Sequence, residues 1–150
     1  MIKLSRFAVE ESIRCPRCFV LAYKHKIRLP MIPFTLNLAL DELVKNEFDY
    51  YRAEAKPHPI LLENNIDAIP FSHSNMDAWR DNFRGAYFTN QQKGFTFGGA
   101  IDDIWEKPDS QIIITDTKGT AKENFNWDQI AQTPWGKAYQ RQLEMYQWTF

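Results

Sequence analysis

Two apolar segments separated by a short turn constrain the fold of this chain more than any other feature. One covers residues 95–105 and the other residues 111–118, and both are rich in β-branched and aromatic side chains. Residues 106–110 lie between them and include Pro, Asp and Ser, which are typical turn residues. The pattern predicts two antiparallel strands joined as a hairpin.

A turn centred on Asp109 determines which residues of the two strands face each other. It pairs Ile104 with Ile114, and it places Asp102 opposite Asp116. Opposed side chains have Cβ atoms about 5 Å apart, a distance at which like charges destabilise a sheet. A raised carboxyl pKa or a divalent cation relieves this repulsion. A turn shifted by one residue would instead put the two aspartates on opposite faces.

Lys118 follows Asp116 by two residues, so the alternation of side chains along a strand puts both on one face. Aspartate is depleted in strands, and two aspartates with a lysine inside apolar strands are therefore a candidate catalytic group. The alternative is that Asp102, Asp103 and Asp116 are solvated residues at the end of a sheet.

The composition is that of a globular protein, with 44% hydrophobic and 25% charged residues. Its 150 residues are enough for one domain with a sizeable core. The net charge of −1 gives no global attraction for a polyanion, so nucleic-acid binding would need a local basic surface or metal ions. The sequence has no signal core and no apolar run of about 20 residues. We therefore expect a cytoplasmic protein without a membrane span.

Apolar residues at helical spacing predict helices before and after the hairpin. The long helices are expected over residues 35–55, with Thr35 as N-cap, and from Pro134 to Phe150. Shorter helical segments are expected in four places: on each side of Pro16, within residues 57–70, near residues 76–84 and over residues 126–132. The last helix has no C-cap, so we expect the fold to continue beyond this chain.

Three motifs in this order resemble the PD-(D/E)xK nuclease superfamily, and within it the RecB-like exonucleases and related CRISPR-associated nucleases. They are Gly99-Ala100-Ile101-Asp102, Asp116-Thr117-Lys118 and Gln142-Leu143-Glu144-Met145-Tyr146. Upstream, Cys15-Pro16-Arg17-Cys18-Phe19-Val20-Leu21 looks like the Cys-Pro helix near the start of many RecB-like domains.

The resemblance implies an α/β fold with a restriction-endonuclease-like core, in which helices flank a central mixed β-sheet. A single nuclease-like domain is then expected over residues 1–150, incomplete at its C-terminus. Its helical part would cover about residues 1–84, and its catalytic hairpin and helix about residues 85–150.

The resemblance also implies roles for the residues at the end of the hairpin. Asp102 and Asp116 would bind Mg²⁺ or Mn²⁺ through carboxylate oxygens, and the Thr117 carbonyl would be a further ligand. Lys118 would orient the attacking water and stabilise charge on the phosphate of DNA.

Two further motif residues, Gln142 and Tyr146, lie one helical turn apart and would border the site, where they would contact DNA or position the lysine. RecB-like enzymes commonly carry a metal-binding His on the helix before the core sheet. This chain has Asp41 in the comparable helix. Asp41 would serve as an oxygen ligand in its place, or would be a solvated acid of the helix.

Some relatives hold an iron–sulfur cluster with one early and three late cysteines. This chain has only Cys15 and Cys18, spaced C-x-x-C, so neither a complete cluster nor a four-ligand zinc site is expected within it. Cys15 is interpreted as part of a structural Cys-Pro turn, and Cys18 as a small buried hydrophobic residue.

The expected function is that of a metal-dependent deoxyribonuclease in DNA repair, recombination or defence. The alternative is a nuclease-like module that binds nucleic acid or a protein partner without cutting. A different metal-dependent hydrolase is a third candidate, and Gln142 and Tyr146 weigh against it.

Overall fold

The computed structural model describes residues 1–28, 30, 35–120 and 123–150. Within these ranges seven helices and six strands form a mixed α/β structure with two three-stranded sheets. None of the helices in these ranges is long and apolar enough to cross a bilayer. The chain divides into two compact units: unit 1 contains Met1–Pro33, Ala86–Gly99 and Phe125–Phe150, and unit 2 contains Phe34–Gly85 and Ala100–Asn124.

The secondary-structure elements alternate along the chain. The strands are β1 (Ile2–Ser5), β2 (Ile69–Pro70), β3 (Ala86–Asn90), β4 (Phe95–Gly99), β5 (Asp103–Glu106) and β6 (Ile112–Thr115). The helices are α1 (Arg6–Arg14), α2 (Pro16–Tyr23), α3 (Thr35–Ala53), α4 (Pro59–Glu63), α5 (Met76–Arg80), α6 (Trp127–Ala131) and α7 (Pro134–Gln147).

The sheet of unit 1 is mixed, with β4 between its two other strands. Strand β4 pairs antiparallel with β3 and parallel with β1, so that Phe97 faces both Phe88 and Leu4. Gly94 ends the β3–β4 turn with a φ of +68°, a left-handed conformation that glycine reaches without steric cost. Helix α7 packs against β4 and α1 within the same unit.

Helices α1 and α2 are separated at Cys15, as the following proline predicts. The Cys15 Sγ accepts a hydrogen bond from Cys18 N–H at 3.2 Å and caps α2. Pro16 occupies the first turn of α2, where its missing N–H costs nothing. The structural role of Cys15 is confirmed. Cys18, however, is exposed rather than buried, because burial in α2 begins one turn later, at Ala22.

The sheet of unit 2 is antiparallel, in the order β2-β5-β6, and α3 packs against β2. Strands β5 and β6 form the predicted hairpin, in which Ile104 faces Ile114. Lys107 N–H donates to Gln111 O at 2.9 Å, and Ser110 has a φ of +63°. A three-residue loop that ends in a left-handed residue is a common hairpin connection. The predicted register is therefore confirmed.

The first strand of the hairpin is shorter than predicted. Residues 95–105 were expected to form one strand, but β4 and β5 belong to different sheets. Gly98 has a φ of +152°, and a Cβ there would lie 2.0 Å from Ala86 O. Consecutive glycines weaken a strand and permit such close approach, and the β4 ladder ends at Gly99. The strands therefore form two sheets rather than the single central sheet expected.

The core of unit 2 supports the hairpin from one side. Ile101 and Ile104 are fully buried on either side of the start of β5. Phe48 of α3 stacks on Trp105, with ring centroids 5.5 Å apart, and on His58, at 4.2 Å. Apolar contacts of this kind anchor β5 to α3 and so set the position of the hairpin end.

Candidate functional site

Asp102 and Asp116 lie one residue beyond the last paired residues of the β5–β6 hairpin. The ladder ends where Asp103 faces Thr115, so the same register puts the two aspartates opposite each other. Thr117 N–H donates to Asp102 Oδ2 at 2.6 Å, which ties the chain after β6 to the chain before β5. The hairpin therefore stays closed past the end of its ladder.

The environment of Asp102 disfavours a negative charge. Burial raises the pKa of Asp102 above the ordinary value for aspartate, and the charge of Asp116 raises it further. The N–H of Thr117 and the ammonium of Lys118 lower this pKa, but they do not cancel the increase. Two carboxylates in such a setting favour a bound proton or a bound cation.

Lys118 forms an ion pair with Asp116, although both residues lie beyond β6, which ends at Thr115 and is shorter than the predicted strand over residues 111–118. The side chain of Asp116 is only 6% exposed, whereas that of Lys118 is 37% exposed. A buried carboxylate requires a compensating charge, and the lysine supplies it while its side chain remains partly accessible to solvent. The same cation is thus in a position to meet an anionic ligand.

Asp41 lies on α3, close enough to Asp102 for its charge to raise the pKa of that carboxyl. Its Oδ2 is 2.7 Å from Nζ of Lys45, one helical turn away. A Cβ on Gly119 would lie 2.8 Å from Leu40 Cδ2, so the chain after β6 runs directly against this part of α3. Asp41 is thus a helix acid paired with a lysine, and its charge reaches Asp102. That it binds a metal ion stays a prediction.

The donor set limits which metal ions these residues would hold. In the part of the chain that the structure describes, no three His, Cys, Asp or Glu side chains are grouped closely enough to hold a metal ion. Proteins hold Mg²⁺ through one or two carboxylates, and water and substrate phosphate complete its coordination. The two carboxylates of Asp102 and Asp116 fit an ion shared with a phosphate. They do not fit an ion held by protein ligands alone.

Asp103 is buried in an ion-pair cluster, so the alternative of a solvated residue is wrong for this aspartate. Its Oδ2 is 2.8 Å from Nη2 of Arg80, and its Oδ1 pairs with Arg52. Asp49 contacts the same two arginines, with Oδ1 2.7 Å from Nη1 of Arg80. The cluster links α3, α5 and the first residue of β5. It therefore fixes the start of β5 immediately after Asp102.

A sequence signal for this cluster existed in the Asp102-Asp103 doublet. Successive side chains of a strand point to opposite faces, so at most one member of the doublet could belong to a given site. The partners of the other member could not be read from sequence, because Arg52 and Arg80 are 51 and 23 residues away from Asp103.

Gln142 and Tyr146 lie on the buried side of α7 in unit 1. Gln142 Nε2 donates to Tyr146 Oη at 3.5 Å. The same Oη would be 3.3 Å from a Cβ on Gly99, so the tyrosine packs closely on the end of β4. Helix α7 ends at Gln147, three residues before the predicted end at Phe150, and Phe150 is exposed. That Gln142 and Tyr146 border Lys118 stays a prediction.

Comparison of the chain with models of known protein families, with curated proteins and with solved structures found no match. A functional proposal for this protein therefore depends on the order of its motifs and on the local geometry of the β5–β6 hairpin. That geometry brings together Asp102, Asp116, Thr117 and Lys118, with Asp41 nearby.

Proposed function

We propose that this protein is a Mg²⁺- or Mn²⁺-dependent deoxyribonuclease that hydrolyses phosphodiester bonds, similar to RecB-like exonucleases. The proposal depends on one observation: Asp102, Asp116 and Lys118 lie together at the end of the β5–β6 hairpin opposite its turn. Two opposed carboxylates, with the pKa of Asp102 raised, suit a hard cation, and the partly exposed lysine beside them suits a phosphate.

The side chains divide the work according to their chemistry. A bound metal ion would lower the pKa of its water and neutralise charge on the phosphate. Asp102 and Asp116 would hold that ion, together with the Thr117 carbonyl. The Lys118 ammonium would orient the attacking water and stabilise the negative charge that develops on the phosphate oxygens. Asp41 would supply a further oxygen ligand or keep the local field negative.

The proposal also covers the wider setting of the site. It includes a restriction-endonuclease-like core within one nuclease domain, a cytoplasmic location and a role in DNA repair, recombination or defence. The order of elements supports this part: a long helix precedes the hairpin, and a helix that carries Gln142 and Tyr146 follows it. No iron–sulfur cluster belongs to the proposal, since the described part of the chain offers only Cys15 and Cys18 as thiol ligands.

The direct test is cleavage of end-labelled single- and double-stranded DNA by the full chain in Mg²⁺, Mn²⁺ or EDTA. We expect metal-dependent products that disappear in EDTA. Asp116→Asn is expected to abolish them, whereas the exposed acid of α6 provides a matched control in Asp128→Asn. Products that persist in EDTA, or equal loss in both variants, would contradict the proposal.

The second candidate is a nuclease-like module that binds nucleic acid or a partner without cutting it. The ion pair between Lys118 and Asp116 favours this candidate, because a lysine engaged with a carboxylate already neutralises part of the charge that would attract a metal. DNA binding without products under any metal condition would make it the better description.

A further inference from the structure

The net charge of −1 conceals two units of opposite charge. Unit 1 contains ten Lys and Arg residues against four Asp and Glu residues, a net charge of +6. Unit 2 contains eight against fifteen, a net charge of −7. Unit 1 is therefore a basic body, and a basic body is the local surface that polyanion binding requires in a chain of nearly zero net charge.

Unit 1 contains an open groove of about 580 Å³ that is lined by residues of α1, of α7 and of the turn before α7. We call it the α1–α7 groove. Ile13, Trp135 and Ala138 contribute apolar lining, and Arg14 and Lys137 contribute positive charge. Its volume falls in the range of pockets that accept a small organic group, roughly 300–1,000 Å³. One aromatic base is a group of this kind.

The charges of the α1–α7 groove are not internally balanced. Arg141 binds Glu10 in a bidentate pair, with distances of 2.7 and 3.0 Å, and its charge is compensated there. Arg141, Arg6 and Arg14 together hold the pKa of Glu10 below its ordinary value. No salt bridge in the described ranges engages Arg14 or Lys137. An excess of positive charge therefore faces the groove.

Trp135 is the second residue of α7, and it is 49% exposed although the groove around it is apolar. An exposed indole next to two cations that form no salt bridge in the described ranges is suited to stacking on a base whose backbone phosphates bind those cations. The bases of a duplex already stack on one another, so a single strand meets this requirement better than a duplex.

We propose that the α1–α7 groove binds a segment of single-stranded nucleic acid. Trp135 stacks on one base, and Arg14 and Lys137 contact the adjacent phosphates. The inference rests on the proposed function only in taking nucleic acid as the ligand. It makes no use of the carboxylates of unit 2.

The test measures binding of a short fluorescein-labelled oligothymidine to the full chain by fluorescence anisotropy. EDTA is present so that cleavage cannot interfere. Trp135→Ala is expected to weaken binding about tenfold or more, and Trp135→Phe is expected to recover most of the loss. Trp148→Ala is the matched control, because Trp148 is a 69% exposed tryptophan of the same unit outside the groove lining. It should bind like the wild type.

The phosphate contacts are tested by the salt dependence of the same binding. Each cation that binds a phosphate of a single strand steepens the slope of log K against log salt by about 0.7. We therefore expect Lys137→Ala to make the slope shallower by about this amount. Lys93→Ala, an exposed lysine of the β3–β4 turn in unit 1, is expected to leave the slope unchanged.

Several results would overturn the groove assignment. In one of them, inorganic polyphosphate competes as strongly as unlabelled oligothymidine, and Trp135→Ala does not weaken oligothymidine binding. The groove would then be a general anion-binding surface. Preferential duplex binding that ignores Trp135 would also refute it. Salt-sensitive self-association that Lys137→Ala abolishes, without change in oligonucleotide binding, would assign the groove to the acidic unit of a second copy.

The two proposals fail separately. Binding that depends on Trp135 without metal-dependent cleavage would overturn the nuclease and keep the groove. Cleavage with oligonucleotide binding unchanged by Trp135→Ala would overturn the groove and keep the nuclease. Oligouridine as a parallel probe identifies the preferred sugar, and tight binding of either probe through Trp135 supports the groove.

Discussion

Arg80→Ala is expected to destabilise unit 2 because it removes one of two cations from a buried aspartate. The side chains of Arg80 and Asp103 are 8% and 7% exposed, and their N–O distance is 2.8 Å. Breaking a buried pair by removing one partner costs about 3–5 kcal/mol. Arg52 still pairs with Asp103 in the variant, so we expect a loss near the lower limit, about 3 kcal/mol.

The assay is urea denaturation of the full chain, followed by circular dichroism. With a slope of about 1–3 kcal/mol per molar urea, a loss of this size lowers the midpoint by roughly 1–3 M. Asp49→Asn is the control, because Asp49 contacts the same arginines but is 47% exposed. Exposed pairs contribute about 0–1 kcal/mol, so its midpoint should hardly move.

Arg80→Lys separates charge from geometry in the same cluster. Arg80 reaches Asp103 through Nη2 and Asp49 through Nη1, and the single ammonium of lysine cannot reproduce this forked contact. We expect Arg80→Lys to recover only part of the stability. The reasoning is refuted if Arg80→Ala unfolds at the wild-type urea concentration, or if it loses no more stability than Asp49→Asn.

The remaining predictions concern the hairpin end and the strand before it. Lys118→Ala should slow DNA cleavage about 10²-fold or more and leave Mn²⁺ binding, measured by calorimetry, largely unchanged. Asp116→Ala should weaken both cleavage and Mn²⁺ binding. Cleavage by Lys118→Ala at the wild-type rate would favour the nuclease-like module that binds without cutting. The pKa of Asp102 is higher in the folded state than in the unfolded state. At pH values between these two pKa values the folded state binds more protons, so the free energy of unfolding falls as the pH rises through this range. Asp102→Asn should therefore reduce the fall in the free energy of unfolding, measured by urea denaturation at several pH values from acidic to neutral. An unchanged fall would show that Asp102 does not cause it. Gly98→Ala should lower the thermal midpoint, because an alanine Cβ would lie 2.0 Å from Ala86 O and a φ of +152° is strained for alanine. A strained backbone costs about 1–3 kcal/mol, and a wild-type melting curve would contradict this expectation.

The local pattern of the sequence determined the hairpin and the helices. The turn around Asp109 imposes the pairing of Ile104 with Ile114 through short-range geometry, and the same register carries Asp102 to Asp116. Apolar spacing sufficed for α3, predicted over residues 35–55 and observed at Thr35–Ala53. Such features depend on neighbouring residues, so a single sequence is enough to predict them.

The separation of the strands into two sheets depended on distant segments. Residues 95–105 resemble one strand because both halves are apolar. Strand β4 instead pairs with β1, which lies more than ninety residues earlier in the chain, and no pattern in Ile2–Ser5 specifies that partner. A four-residue strand carries too little periodicity to be recognised. Its formation is decided by which edge of β4 is available in the folded unit.

The partners of charged side chains were likewise a tertiary outcome. Asp102 and Asp103 are neighbouring residues of the same type. Asp102 nevertheless lies opposite Asp116, whereas Asp103 lies between Arg52 and Arg80. The basic character of unit 1 is also invisible in a net charge of −1, because the unit is assembled from three separate stretches of the chain. Local sequence determines which face of a strand or helix a residue occupies. The charge that meets it there depends on which distant segments pack against that face, since electrostatic interactions act through space and not along the chain.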